Sequence, residues 1–112
     1  MSSIRQEKIS SLLKRELALI FQQESQNLLG GMFTTVTMVR VTSDLGVAKI
    51  YLSFMAVSDK KEALSKVNDV NWKIRKILGS RVGKQLRKIP ELSFFIDDSL
   101  DYFEEIDKLL KD

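Results

Sequence analysis

The sequence predicts an α+β domain in which helices cover a three-stranded sheet, in the order α-β-β-α-α-β followed by a short C-terminal helix. Three observations predict this class: an amphipathic helical pattern near the N-terminus, two neighbouring segments with strand character, and two further helical patterns ahead of the only proline, Pro90. The 112 residues suffice for one core, and no Pro- or Ser-rich linker or repeat divides them. We therefore expect residues 1–112 to form a single domain.

The first half of the chain predicts one helix and one hairpin. From Ser3 to about Glu24, apolar residues recur at helical spacing, and Gly30-Gly31 ends the connection that follows. Residues 33–42 and 47–54 have strand composition, and the four residues between them have turn chemistry, which predicts an antiparallel pair. One face of the second strand is apolar and should be buried: Ala48, Ile50, Leu52 and Phe54.

Two helices are predicted next. Asp59 is a good N-cap, and Glu62 stands at the capping-box spacing from it. A bend is expected near residues 69–71, because Asp and Asn compete for backbone hydrogen bonds inside helices. The second helix is expected to run on to Lys88 and to stop before Pro90, since the residue before a proline avoids the helical conformation.

The remaining residues predict a strand and a last helix. Residues 91–97 have the composition of a third strand, which can return parallel to a neighbour because two helices precede it. Asp98 or Ser99 caps the short C-terminal helix. The apolar side of that helix would be formed by Leu100, Phe103, Ile106 and Leu110.

Composition argues against an enzyme. The chain has no cysteine and no histidine, which removes thiolate nucleophiles, the commonest general base and the commonest transition-metal ligands. A group of acids could be interpreted as a Mg²⁺ cluster or as catalytic carboxylates, but the dipole of the last helix explains it: Asp97, Asp98, Asp101, Glu104 and Glu105. We expect no catalytic residue, metal, cofactor or small-molecule substrate.

The chain is also expected to be cytoplasmic and to have no contact with a membrane. Its first residues lack the apolar stretch of a secretory signal. No apolar run approaches the roughly 20 residues that a membrane-spanning helix needs.

Charge is distributed unevenly along the second half of the chain. Residues 66–88 carry eight basic side chains and one acid, whereas residues 91–112 carry eight acids and two lysines. On a helical wheel, Ile74, Leu78, Val82 and Leu86 form an apolar stripe. The opposite face is basic within about 80° and carries Lys73, Lys76, Lys84 and Arg87, with Arg81 and Lys88 flanking them. Arg75 falls near the apolar stripe, where a structural ion pair would explain it.

This basic face favours a polyanionic partner over a plain solvated surface. Solvated helix faces usually mix signs, but no acid occurs between Asp69 and Glu91, and stacked like charges destabilise a helix. A nucleic acid would relieve that repulsion and release counterions. The alternative is a protein-interaction module that docks an acidic partner, or the acidic tail of a second copy, on the same face.

Two further features have open interpretations. Trp72 is either a core or half-buried aromatic or, with Asn71, a contact to RNA bases at the bend beside Lys73. The spacing of Gly79 and Gly83 predicts close packing of the helix on a neighbouring segment or on RNA phosphates.

Over nearly its whole length the chain resembles the ribosome-binding factor A family. The resemblance rests on three stretches: Arg5-Gln6-Glu7-Lys8-Ile9; Val41-Thr42-Ser43-Asp44-Leu45 with Ala48-Lys49-Ile50-Tyr51-Leu52-Ser53; and Ile74-Arg75 with Leu78, Leu86-Arg87, Pro90-Glu91-Leu92-Ser93-Phe94, Asp97 and Ser99. It implies a type II KH-like fold and a non-enzymatic factor that binds the small (30S) ribosomal subunit and its 16S rRNA late in maturation. It also implies roles in 5′-end processing of the precursor rRNA and in growth in the cold.

A monomer that contacts rRNA through side chains of one surface is therefore expected. The candidate RNA-binding residues are Arg5, Lys8, Asn71, Trp72, Lys73, Lys76, Arg81, Lys84, Arg87 and Lys88. The family has a small-residue kink between its two central helices, whereas this chain has Val70-Asn71-Trp72 there. Either Asn71 builds the kink differently, or side chains replace the backbone in contacting RNA.

Overall fold

The computed structural model describes residues 3–97, and the predicted C-terminal helix lies outside this range. The helices are α1 (Ile4–Gln23), α2 (Ser25–Leu29), α3 (Lys60–Asp69) and α4 (Asn71–Val82). The strands are β1 (Thr34–Val41), β2 (Val47–Phe54) and β3 (Glu91–Ile96). The predicted order of elements is confirmed, with one addition: α2, a single short helix directly after α1.

The three strands form one sheet in the order β1-β2-β3. β1 and β2 are antiparallel, as the turn chemistry between them predicted. β3 lies parallel to β2 and pairs Val47 with Glu91 through Leu52 with Ile96. A bulge between Val36 and Met38 shifts the register of β1 and restores its alternation, so that Val36, Val39 and Val41 all face the core.

The core lies between one face of this sheet and the helices. Leu13, Leu17 and Ile20 of α1 are fully buried, and Phe21 packs edge-on against Phe94 of β3 with 6.1 Å between ring centroids. The predicted core face of β2 is buried at all four positions. The apolar stripe of α4 is confirmed at Ile74, Leu78 and Val82, none of which is exposed to solvent.

Local capping explains where the helices begin. The Ser3 hydroxyl accepts the backbone N–H of Gln6, whose side chain in turn accepts the Ser3 N–H, which forms a capping box. At α3 the Asp59 carboxylate accepts the N–H of Glu62 at 3.1 Å, as the sequence predicted. The bend between α3 and α4 falls at Val70, inside the predicted range.

The prediction that the basic helix continues to Lys88 is wrong. α4 ends at Val82, and the N–H groups of Gln85 and Leu86 both turn back to the Val82 carbonyl. Two glycines in the last turns weaken the helix, because glycine costs roughly 1 kcal/mol relative to alanine. The chain then folds back along α4 to reach Pro90, which is buried.

The returning segment packs beside Gly79 and is held by Arg75. A Cβ placed on Gly79 would lie 3.6 Å from the Ile89 side chain, an ordinary van der Waals distance, so Ile89 contacts this position without the close backbone approach that the glycine spacing predicted. Arg75 donates to the carbonyls of Ile89 (2.7 Å) and Pro90 (3.1 Å). Arg75 is structural as predicted, but its partners are carbonyl oxygens, and no ion pair within residues 3–97 involves it.

Candidate nucleic-acid interface

The first cluster of candidate residues lies on the outward face of α4. Trp72 is 63% exposed, and Lys73 and Lys76 are exposed beside it. The Lys73 ammonium stands 5.4 Å from the centre of the indole ring, a cation–π contact. The interpretation of Trp72 as a core aromatic is therefore wrong. We call Trp72, Lys73 and Lys76 the α4 cluster.

Shallow clefts open on both sides of Trp72 and Lys76. One has a volume of about 440 Å³ and is lined by Leu28, Trp72, Lys73, Lys76, Ile77 and Ser80. The other measures about 610 Å³ and is lined by Asn68, Asn71, Trp72, Arg75, Lys76 and Ile89. An exposed indole between two clefts has a free π face, and a cation stands next to it. This is the chemistry that stacks an unpaired base and holds its phosphate.

Asn71, the other candidate for a base contact, has a structural partner. Its side-chain amide donates to the Leu92 carbonyl at 2.9 Å, and the residue is half-buried. This bond ties the beginning of α4 to β3. The side chain that projects from this corner into solvent is the indole of Trp72.

Arg81 is drawn into the contact between α4 and α1. Its guanidinium donates to the Gln23 side chain at 2.6 Å and lies 4.0 Å from a carboxylate oxygen of Glu16. These partners hold the Arg81 side chain, which is only 26% exposed. Of the basic residues predicted on α4, Arg81 is thus the one that joins two helices.

The last three predicted cations lie beyond α4, so the helical wheel placed them wrongly. Lys84 is exposed in the turn after Val82. Arg87 and Lys88 line a groove of about 780 Å³ together with Arg5 and Lys8 from the beginning of α1. We call Arg5, Lys8, Arg87 and Lys88 the groove cluster. Its apolar lining includes Ile4, Ile9, Leu45, Leu86 and Pro90.

One acid, Asp44, also lines this groove, and the sequence had marked it only as a turn residue. The Thr42 hydroxyl donates to its carboxylate at 2.6 Å and the Gly46 N–H donates at 2.9 Å. These hydrogen bonds, the hydroxyl first, lower the pKa of Asp44 from its ordinary value of 3.8. Asp44 therefore stays ionised and fixes the β1–β2 turn, in which Leu45 adopts a positive φ of 61°.

Within residues 3–97 no ion pair joins a cation of either cluster to an acid, although the charge of Lys88 contributes to lowering the pKa of Asp44. Arg15 and Arg81, which belong to neither cluster, both pair with Glu16. In the same range no group of three or more acids could hold a metal ion, and no helix is long and apolar enough to cross a membrane. The acidic residues from Asp98 onward lie outside the described range.

Comparisons with known proteins point to one family. A family model described as ribosome-binding factor A matches residues 5–110. A ribosome-binding factor A from Cytophaga hutchinsonii is 44% identical over 110 residues, which cover 98% of this chain and 83% of that protein. Another from Chlorobaculum parvum is 42% identical over 110 residues, covering 97% of this chain and 90% of the relative.

Solved structures give the same result. The crystal structure of ribosome-binding factor A from Thermus thermophilus superposes with a TM-score of 0.68 at 25% identity, covering 81% of this chain and 94% of that one. A homology model of the Thermus thermophilus factor, fitted into a cryo-EM map of its complex with the 30S subunit, superposes with a TM-score of 0.63 at 26% identity. It covers 80% of this chain and 91% of that chain.

Proposed function

This chain belongs to the ribosome-binding factor A family, and we propose that it binds the small (30S) ribosomal subunit by contacting 16S rRNA during late maturation. The observation that carries the proposal is the α4 cluster: two lysines without acidic partners within residues 3–97, beside a tryptophan that is 63% exposed. The Thermus thermophilus relative fitted into a 30S complex supports the choice of partner.

The α4 cluster and the groove cluster would contact phosphates at two places on the surface. Because both groups of cations are fixed on one folded domain, the surface would select RNA by shape as well as by charge. Sequence readout would be limited to the unpaired base that Trp72 can stack.

The protein would act by binding and not by catalysis. In 5′-end processing of the precursor rRNA, its part would be to hold the rRNA in a form that nucleases cut correctly. In the cold, misfolded RNA helices open more slowly, so a factor that stabilises one rRNA conformation would matter most there. We place this activity in the cytoplasm and assign it to the monomer, since one copy carries both clusters.

Co-sedimentation with immature small subunits tests the proposal. The triple variant Lys73→Glu/Lys76→Glu/Lys84→Glu should lose association, because each substitution replaces a phosphate contact by repulsion. The double variant Lys14→Glu/Lys61→Glu alters exposed lysines on α1 and α3 that line neither cluster, and it should still associate. Circular dichroism and thermal melting should confirm that both variants are folded.

Binding to deproteinised 16S rRNA separates this function from the alternative of a protein-interaction module. If the basic surface docks an acidic protein, the wild-type chain will associate with subunits but not with the free rRNA. Undiminished association of the triple variant would remove the α4 cluster from the interface altogether.

A further inference from the structure

The sheet face turned away from the helices carries a second group of aromatic and basic side chains. Across the three strands, Met38 pairs with Tyr51 and Tyr51 pairs with Phe95. Two positions along the strands, Arg40 pairs with Lys49 and Lys49 pairs with Ser93. An aromatic row and a basic row thus lie side by side, about 6.6 Å apart along the strands.

The aromatic row presents a broad π surface. The rings of Tyr51 and Phe95 are stacked, with 5.4 Å between centroids and 26° between planes. Phe95 is 39% exposed and Tyr51 is half-buried. Cross-strand packing accounts for the contact between the two rings. Within residues 3–97 no other aromatic ring or cation stacks on their outer faces.

The basic row is electrostatically unsatisfied. Arg40 and Lys49 stand directly opposite each other on antiparallel strands, an arrangement that destabilises a sheet when both carry the same charge. Both are exposed, and neither forms an ion pair in the described part of the chain. An anion placed over the two side chains would remove that repulsion.

Acids near this face lie towards its ends. Asp97 accepts a hydrogen bond from the Thr37 hydroxyl at 2.6 Å. It lies on the far side of the aromatic row, away from Arg40 and Lys49. Glu91 is paired with Val47, two positions before Lys49, and forms no ion pair with it. The centre of the face therefore combines exposed rings with cations that have no acidic partner among residues 3–97.

We propose that this sheet face binds single-stranded RNA, with bases stacked on Tyr51 and Phe95 and the flanking phosphates on Arg40 and Lys49. A simple polyanion or an acidic peptide would satisfy the cations and leave the rings exposed, whereas a single strand uses both rows. The surface lies on the opposite side of the sheet from α4. It is separate from the site of the proposed function and does not depend on it.

Binding of a labelled 12-nucleotide oligouridylate to the full chain tests this inference. All measurements use a Trp72→Ala/Lys73→Gln/Lys76→Gln background, so that the ring and both cations of the α4 cluster are removed. Phe95→Ser should weaken binding by about 5- to 150-fold, the usual effect of losing one stacked base. Phe33→Ser is the matched control, because Phe33 is 61% exposed and precedes β1, outside the aromatic row.

The cations and the bases are tested separately. Arg40→Gln/Lys49→Gln should reduce the slope of log K against log salt by about 1.4, since each lost contact to a single strand removes about 0.7. Inorganic polyphosphate should compete less well per phosphate than oligouridylate does. Crosslinking of the background protein by 4-thiouridine oligonucleotides should map to β2 and β3, and this readout needs no change to the sheet.

Two results would overturn the inference. Equal binding by Phe95→Ser and the background would show that the rings are not used. Equal competition by polyphosphate would show that the face is a plain anion site, open to an acidic segment such as residues 98–112. Neither result bears on subunit association, which is measured with the α4 cluster intact.

Discussion

The salt dependence of rRNA binding should report directly on the candidate cations that form no ion pair. Within residues 3–97 there are seven of these: Arg5, Lys8, Lys73, Lys76, Lys84, Arg87 and Lys88. If each cation contacts one phosphate of a double-helical segment, the slope of log K against log salt should be about −6.3, taking the value of about 0.9 per contact that holds for B-DNA. Lys73→Gln/Lys76→Gln should reduce that slope to about −4.5.

The difference is large enough to measure. Raising salt from about 50 to about 200 mM should weaken the wild-type complex about 6,000-fold and the double variant only about 500-fold. Filter binding to 16S rRNA over this range gives both slopes. Lys14→Gln/Lys61→Gln changes the net charge equally and should keep the wild-type slope, because those lysines line neither cluster.

Arg81→Gln provides the sharpest check of the assignment. Its guanidinium is held by Gln23 and Glu16, so its loss should lower stability and leave the slope unchanged. An unchanged slope in the Lys73/Lys76 variant would refute the reasoning. So would an Arg81→Gln slope reduced by as much as about 0.9, the value of one phosphate contact.

Two further predictions concern Arg75 and pH. Arg75→Met removes the donors of the Ile89 and Pro90 carbonyls, and we expect it to lower the free energy of unfolding in urea by about 2–3 kcal/mol, whereas Lys76→Met should stay within about 0.5 kcal/mol. Equal stability of the two variants would contradict this role. The affinity for rRNA should be constant from about pH 5.5 to about pH 8.5, because the chain has no histidine, the side chain whose unperturbed pKa falls in that range. The lowered pKa of Asp44 keeps its carboxylate ionised over that range; the stability it adds is present above its ordinary pKa of 3.8 and is lost only as pH falls through the lowered value. Filter binding would measure the affinity across this range. A change of affinity between the two limits would show that a titrating group takes part in binding, which the proposed contacts do not include.

Local patterns explain why most of the fold could be predicted from the sequence. The alternation of residues 47–54 located β2 at both ends, and turn chemistry fixed its pairing with β1. The end of α4 depends instead on contacts made after the chain reverses. Ile89 packs beside Gly79, and Arg75 holds the carbonyls of Ile89 and Pro90, so residues 83–88 leave the helix despite a composition that continues it.

In the candidate site, too, local patterns could be predicted and long-range contacts could not. Lys73 and Lys76 could be placed on the outward face of α4 because they share it within one turn of the helix. The partner of Arg81 lies 58 residues away on α1, and the meeting of Arg5 with Arg87 needs the whole fold. Helical spacing contains no information about either contact, so the wheel counted Arg81 as free and put Arg87 on the wrong element.

The corner between α3 and α4 favours side chains over backbone as the group that meets RNA. KH loops that use backbone N–H groups need small residues for a close approach to phosphates. Here Val70 occupies the cap position with φ −108° and ψ 14°, and Asn71 is bonded to the Leu92 carbonyl, so the corner is rigid without a glycine. No side chain within residues 3–97 caps α4, and the positive end of its dipole therefore adds to the charge of Lys73. Because the indole of Trp72 projects beside that charge, a phosphate drawn to this end of α4 would carry its base onto the ring, a contact that Trp72→Ala would abolish while the helix stays intact.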